Sequence, residues 1–404
     1  MRDHGPMRVL FSTVPGVGHL LPLLPVARAA RDRDHEVVIA AGTSLSAIIA
    51  DAGFRHETVG PATIGEMFGG LPDVSSLPAR ERALVTMPRV FVERIAPAMA
   101  AGVAELVEGW RPDVVVHEDL DFGSGLVADR IGIPHVTVQA TAWRPHVQAA
   151  ARGQLASLRE QHGLGPDEHL DRIFGQLFLS TRPVSLRDPE APLPHPYAEL
   201  RPVADDRRGG AEESAGELFP ADGRPRVALT LGTVSHDQIT LMRSLIDGAV
   251  AAGANVVVAL GADPDSLGVV PPGVIVRAYV PMSTLLPAAD AVVYHGGSGT
   301  MLAALASGTP MVIVPLAADQ PDNGDRCLAA GVARVVAREE ADAATIQAAV
   351  AAVLTDSAYQ RRADAVAVEV AAMPGPDAAI ERIESIVRAL GSPGPPPTAP
   401  VPGA

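Results

Sequence analysis

The chain has 404 residues, enough for two or three domains, and its 47% hydrophobic and 20% charged content is globular rather than disordered or fibrous. A net charge of −15 disfavours nonspecific binding to nucleic acid or anionic membranes, where cationic side chains would have to neutralise phosphates. All 32 basic residues are Arg, and without lysine there is no Schiff-base chemistry, pyridoxal anchor or phosphate-loop lysine.

Apolar runs of strand length alternate with Ala- and Leu-rich helical stretches, which predicts an α/β protein with parallel sheets. The first series opens with a strand over 8–12, a Gly-rich loop over 15–18, a helix over 19–31 and a strand over 36–41; strands over 113–117 and 135–139 follow. Residues 201–225 are polar and turn-rich, as interdomain linkers are. A second series has strands over 226–231, 255–260, 274–279, 291–294 and 311–314. Pro374 and Pro376 interrupt the helical pattern before a last helix over 377–390, and the Pro- and Gly-rich tail 391–404 reads as disordered. The expected division is a first domain over 1–205, a linker over 206–224, a second domain over 225–373 and a terminal helical segment over 374–390.

Cys327 is the only cysteine, which excludes an internal disulfide; no apolar run reaches the about 20 residues of a membrane span. The start is polar, without an apolar signal segment, so a cytoplasmic location is expected.

Two doubly wound, Rossmann-like domains facing each other leave a cleft at the carboxyl ends of their strands, where such sheets bind ligands. Neither Gly-rich loop completes the dinucleotide fingerprint: Gly16-x-Gly18 continues to Leu21 and Gly297-x-Gly299 to Leu302, where a third glycine is needed. The most informative segment runs from Asp290 through His295, Gly296, Gly297, Ser298, Gly299 and Thr300, a strand followed by a Gly-rich turn into a helix. Its glycines let backbone amides approach an anion, and the helix directs its positive end to the same place; a plain tight turn is the alternative. Asp319 and Gln320 follow the next strand, suited either to gripping vicinal hydroxyls or to capping a helix. Thr233 and Ser235 end an earlier strand and offer hydroxyls to the same place. Asp263-x-Asp265 looks like a metal motif but lies around Pro264 and reads as a turn, so no metal site is expected.

In the first half, Gly18-His19-x-x-Pro22 places an imidazole at the start of a helix, where the dipole should keep it neutral and able to take a proton. A base needs an orienting partner; Glu118 is the first choice, with Asp119 and Asp121 as substitutes. The irregular stretches over 60–88 and 143–196 are longer than connections need, and their aromatics together with a neighbour, Phe68, Phe91 and Trp143, are candidates for an apolar binding face.

Gly18-His19-x-x-Pro22, Val280-Pro281-x-x-x-Leu285-Leu286, His295-Gly296-Gly297-x-Gly299-Thr300, Pro310 and Asp319-Gln320 together resemble the family 1 nucleotide-sugar glycosyltransferases of the GT-B fold, particularly the bacterial enzymes that decorate antibiotics. The similarity spans about residues 7 to 390. It implies inverting, metal-independent transfer of a sugar from a UDP- or dTDP-sugar to an acceptor hydroxyl, with the nucleotide sugar as co-substrate and no other cofactor. By resemblance the first domain binds a hydrophobic acceptor, the second binds the donor, and the terminal helix crosses back to the first. His19 resembles the general base, with Glu118 at the place of the orienting acid, where relatives usually have Asp. His295, Gly297, Ser298, Gly299 and Thr300 match the diphosphate contacts, with Thr233 and Gly18 opposite; Tyr279 falls where relatives stack Trp on the pyrimidine, beside Val280; Asp319 and Gln320 match the sugar-hydroxyl contacts. Met282 stands where relatives often have Gln and cannot make the amide's hydrogen bonds. A homodimer is compatible with this reading. A nucleotide-sugar epimerase of the same fold, or a non-catalytic nucleotide-sugar-binding partner protein, is the rival reading.

Overall fold

A computed structural model describes residues 5–71, 74, 77–167, 170, 172–204, 218–232 and 238–390. The first sheet comprises β1 (Arg8–Ser12), β2 (Glu36–Ala41), β3 (Arg55–Thr58), β4 (Val114–Glu118), β5 (His135–Val138), β6 (Leu177–Ser180) and β7 (Tyr197–Glu199), in the order β3-β2-β1-β4-β5-β6-β7. The second comprises β8 (Arg226–Thr230), β9 (Asn255–Ala259), β10 (Val274–Arg277), β11 (Ala291–Tyr294), β12 (Met311–Ile313) and β13 (Ala333–Val335), in the order β10-β9-β8-β11-β12-β13. Every pairing is parallel.

Parallel strands covered on both faces read as continuous apolar runs, and β4 and β9 are buried at every position. Strand order reverses between β1 and β4 and between β8 and β11. Loops leaving these strands diverge to opposite faces and open the crevices in which α/β sheets bind ligands. The register pairs Ser12 with His117 and Tyr294 with both Thr230 and Ile313, so the turns after these strands emerge side by side.

The expected strands are present, five of the nine ending one or two residues early, but β3, β6, β7 and β13 were not anticipated. β3 reads Arg-His-Glu-Thr and lies at an edge, so it carries no apolar run. The stretch over 143–196, expected to be irregular, contains the helices Pro145–Ala150 and Arg152–Gln161 as well as β6. Similarly, 60–88 holds the helix Ala79–Thr86, which continues into a nine-residue π-helix, Met87–Ile95. The single helix expected over 19–31 is two pieces, Val17–Leu20 and Leu24–Asp32.

The terminal helix Pro376–Leu390 lies on helix Leu24–Asp32 of the first domain, inserting Ile380, Ile383 and Val387 into that core. Glu384 on this helix pairs with Arg33 and His35, and the Arg201 backbone N–H donates to the Pro374 carbonyl at 2.7 Å. Leu218 and Phe219 already belong to the core of the second domain. Most of the expected linker and all of the tail 391–404 lie outside the described residues. Among the described residues, no helix is long and apolar enough to cross a membrane.

Candidate active site

His19 is carried by the four-residue helix after β1, and Glu118 is the last residue of β4, the neighbouring strand. The His19 Nδ1 lies 3.0 Å from Glu118 Oε2. Glu118 is fully buried and is itself fixed: Oε2 accepts from the Leu120 N–H at 2.8 Å and Oε1 from the Val14 N–H at 3.4 Å. The other two carboxylates serve the scaffold. Asp119 accepts from the Ala140 and Thr141 backbones and the Thr141 hydroxyl, while Asp121 caps helix Phe122–Ile131 and binds the Ser12 and Ser124 hydroxyls.

Burial alone would lower the His19 pKa, but the Glu118 carboxylate, through charge and hydrogen bond, outweighs it and raises the ring above 6.5; Asp119 and Asp319 add to this. The helix was expected to favour the neutral ring; the Glu118 contact acts in the opposite direction and is the stronger influence. The helix has only four residues and a correspondingly small dipole, whereas a buried carboxylate sits in direct contact. With Nδ1 committed to Glu118, Nε2 is the nitrogen suited to receive a proton from a ligand.

Across the cleft, His295 follows β11 and the helix Ser298–Ser307 begins three residues later. Gly296 adopts φ 91°, and a Cβ on Gly297 would stand 2.5 Å from His295 Nε2, so this turn requires glycines at both places. Gly18 and Gly299 have open space around them instead. His295 is buried, which lowers its pKa to about 4 against the weaker opposing pull of Asp319 and the Thr230 backbone and leaves a neutral ring; among the described residues its Nδ1 is buried without a hydrogen-bond partner. An orphaned polar atom beside the positive end of a helix is suited to an anionic ligand. Thr300, half-buried, lies in the first turn of that helix.

Asp319 occupies the N-cap position of helix Gln320–Ala330 but makes no capping bond. Its Oδ2 accepts instead from the Ala142 N–H of the first domain at 2.8 Å, the Ser298 hydroxyl at 2.7 Å and Asn323 Nδ2 at 3.3 Å. Burial would raise its pKa, but Arg144, Arg182 and these bonds lower it, so it is a carboxylate. Gln320 Oε1 accepts from the Leu316 and Ala317 N–H groups, so the amide shapes the loop that carries Asp319.

The remaining expected residues are dispersed. Tyr279 lies beyond β10 at the surface, whereas the Val280 side chain belongs to the second core and cannot face a ligand. Phe68 is exposed on the turn Gly65–Phe68, and Phe91 is half-buried in the π-helix. Trp143 packs edge-on against Phe174 and Phe178 and donates from Nε1 to the Pro192 carbonyl, so much of its surface serves packing. Asp263 accepts from the Asp265 N–H in a turn. Thr233 and Ser235 lie outside the described residues.

Sequence reasoning missed Ala142, Arg144, Arg182 and Asn323. Arg182 stands two residues beyond β6, so reading 177–180 as a strand would have placed it at the carboxyl edge of the sheet. Ala142 acts through its backbone and had no side-chain signal.

Two all-parallel α/β domains meeting across the carboxyl ends of their strands, with a His–Glu pair on one side and a Gly-rich helix entrance on the other, define a glycosyltransferase of the GT-B fold. The chain belongs to the family 1 natural-product glycosyltransferases: residues 28–187 match the erythromycin biosynthesis protein CIII-like N-terminal domain and residues 243–386 its C-terminal domain. It is 31% identical over 403 residues to the L-demethylnoviosyl transferase of Streptomyces niveus, covering 95% of this chain and 99% of the relative. It is 30% identical to the tylactone mycaminosyltransferase of Streptomyces fradiae, covering 94% and 92%. The crystal structure of Streptomyces sp. SF2575 glycosyltransferase SsfS6, complexed with thymidine diphosphate, superposes with a TM-score of 0.78 at 29% identity, covering 94% of this chain and 99% of that one.

Proposed function

We propose that this glycosyltransferase moves a sugar from a dTDP- or UDP-sugar to a hydroxyl of a hydrophobic natural product, inverting the anomeric centre, with His19 as general base. The observation that carries this reading is the 3.0 Å contact between His19 Nδ1 and buried Glu118 on the wall that faces Asp319 and the Gly-rich turn. The acceptor hydroxyl gives its proton to Nε2 as its oxygen attacks the anomeric carbon, and the sugar–phosphate bond breaks on the opposite face. Glu118 stabilises the imidazolium that forms. The departing diphosphate is met by His295, Thr300 and the amides entering helix Ser298–Ser307, an anion site that calls for no metal. Asp319 contacts the donor sugar. dTDP is the favoured nucleotide, since the SsfS6 neighbour carries thymidine diphosphate. Phe68 and Phe91 line the acceptor side.

Incubation with dTDP- and UDP-sugars against a panel of polyketide and phenolic acceptors, read by mass spectrometry and by NMR of the anomeric proton, tests the reading. Glycosylated product of inverted configuration, formed equally well in EDTA, is expected. Retention of configuration, or conversion of the donor in the absence of any acceptor, contradicts it.

A further inference from the structure

Arg182 belongs to the first domain but ends inside the donor side of the second. It is 5% exposed; Nη2 donates to Ser298 Oγ at 2.8 Å and lies 3.8 Å from Asp319 Oδ2, and Nη1 reaches the sulfur of Met301 at 3.6 Å. Among the described residues, Nε is buried without a hydrogen-bond partner. As an adhesive between domains this is a poor choice, because burying a guanidinium with incomplete partners is strongly penalised and an apolar side chain would fill the same space against Met301. The position is also unfavourable for a cation, being at the positive end of helix Ser298–Ser307. Asp319 is the anion that offsets it.

The contacts of Asp319 with Arg182, Ala142, Ser298 and Asn323 all fall on Oδ2. Among the described residues, Oδ1 is thereby the oxygen left to meet a ligand. Two of the four partners, the Arg182 guanidinium and the Ala142 N–H, come from the first domain. The carboxylate is therefore aimed by the domain that does not carry it.

We propose that Arg182 is a positioning residue of the donor-sugar site, supplied by the opposite domain, holding Ser298 Oγ and the Asp319 carboxylate in place so that sugar recognition is complete only where the two domains touch. This rests on the reading of Asp319 as a sugar contact. It assigns part of donor selectivity to the first domain. Donor choice then does not belong to the second domain alone.

The test compares wild type, Arg182→Met, Arg182→Lys, Asp319→Asn and the Arg182→Met/Asp319→Asn double variant on a turned-over dTDP-sugar, its deoxy analogue and free dTDP. Arg182→Met is expected to lower kcat/KM for the complete donor by about 10²-fold and to narrow discrimination against the deoxy analogue, while free dTDP affinity stays within about 3-fold. Arg182→Lys, which keeps the charge but not the fork, should fall between the two. The double variant should be no worse than Asp319→Asn alone, because one residue acts through the other. Losses that multiply in the double variant, or a fall in free dTDP affinity matching the fall in kcat/KM, overturn the proposal while leaving the Asp319 reading intact. An unimpaired Asp319→Asn overturns that reading and this proposal with it. Thermal melting identifies any variant that fails to fold; should that be Arg182→Met, Arg182→Lys and its double variant with Asp319→Asn decide by the same coupling.

Discussion

In the second domain, the groups that approach the first domain lie in one stretch from His295 to Asp319, on the exits of two adjacent strands, β11 and β12. In the first domain, His19 and Glu118 are 99 residues apart and meet because β1 and β4 are paired. A Gly-rich turn entering a helix presents its backbone donors through local conformation, so its residues stand together in the sequence. A His–carboxylate pair has no such local origin. It exists only through strand order, and its charge state is set by burial that no short window of sequence contains.

The largest way to break this comparison is at His19. His19→Ala should lower transfer by about 10² to 10⁴-fold, the usual worth of general-base help, with free dTDP affinity unchanged by calorimetry. Equal loss of nucleotide binding would mean that the first domain holds the donor rather than the acceptor proton.

Glu118→Gln should cost about 10²-fold in kcat, as loss of an orienting partner does, and it should also move the pH profile. The base form of His19 is lost as pH falls through its raised pKa, so the acidic limb of kcat/KM in the wild type should have its midpoint above 6.5. Removing the Glu118 charge takes away the main contribution that offsets burial, leaving only the weaker pull of Asp119 and Asp319, so the limb should shift to lower pH. An unmoved limb would separate the pair electrostatically despite its contact.

On the other side of the cleft, Thr300→Ala should weaken free dTDP by about 10-fold, the scale of one hydrogen bond to a charged group. Asp319→Asn should spare free dTDP and impair use of the complete donor. If the two variants behave alike, the division between diphosphate and sugar contacts along this stretch is wrong.

A different kind of effect is expected on stability. Burial lowers His295 to about 4, and His117, buried against His135, to about 3, both below the 6.5 of an unfolded histidine. As pH falls below 6.5 the unfolded chain takes up protons that these folded rings refuse, so stability should be lost, by about 2 kcal/mol per histidine at pH 5. His19, with its raised value, works in the opposite sense: its contribution is present at low pH and lost as pH rises through that value. Denaturant titrations at pH 7.5 and 5 check the balance, and stability independent of pH would show that the two rings are not sealed from protons.

The sequence by itself determined the alternation of strands and helices, the two-sheet architecture and the Gly-rich turn at the entrance of helix Ser298–Ser307. Buried parallel strands are written as unbroken apolar runs, and a Gly-rich turn is written contiguously. The polar edge strand Arg55–Thr58 and the short strand Leu177–Ser180 escaped because neither makes a long apolar run. Tertiary structure decided the rest. Of the three acidic residues at the end of β4, the sequence ranked Glu118 first with Asp119 and Asp121 as substitutes, and strand geometry decided among them by sending Glu118 to His19, Asp119 to the Ala140–Thr141 backbone and Asp121 to a helix cap. Val280, beside the exposed Tyr279, turned into the core of the second domain, a packing that only the assembled sheet and its helices provide. Arg182 and Ala142 reach Asp319 over 137 and 177 residues of chain, contacts created when two separately folded sheets dock and therefore without any local signature.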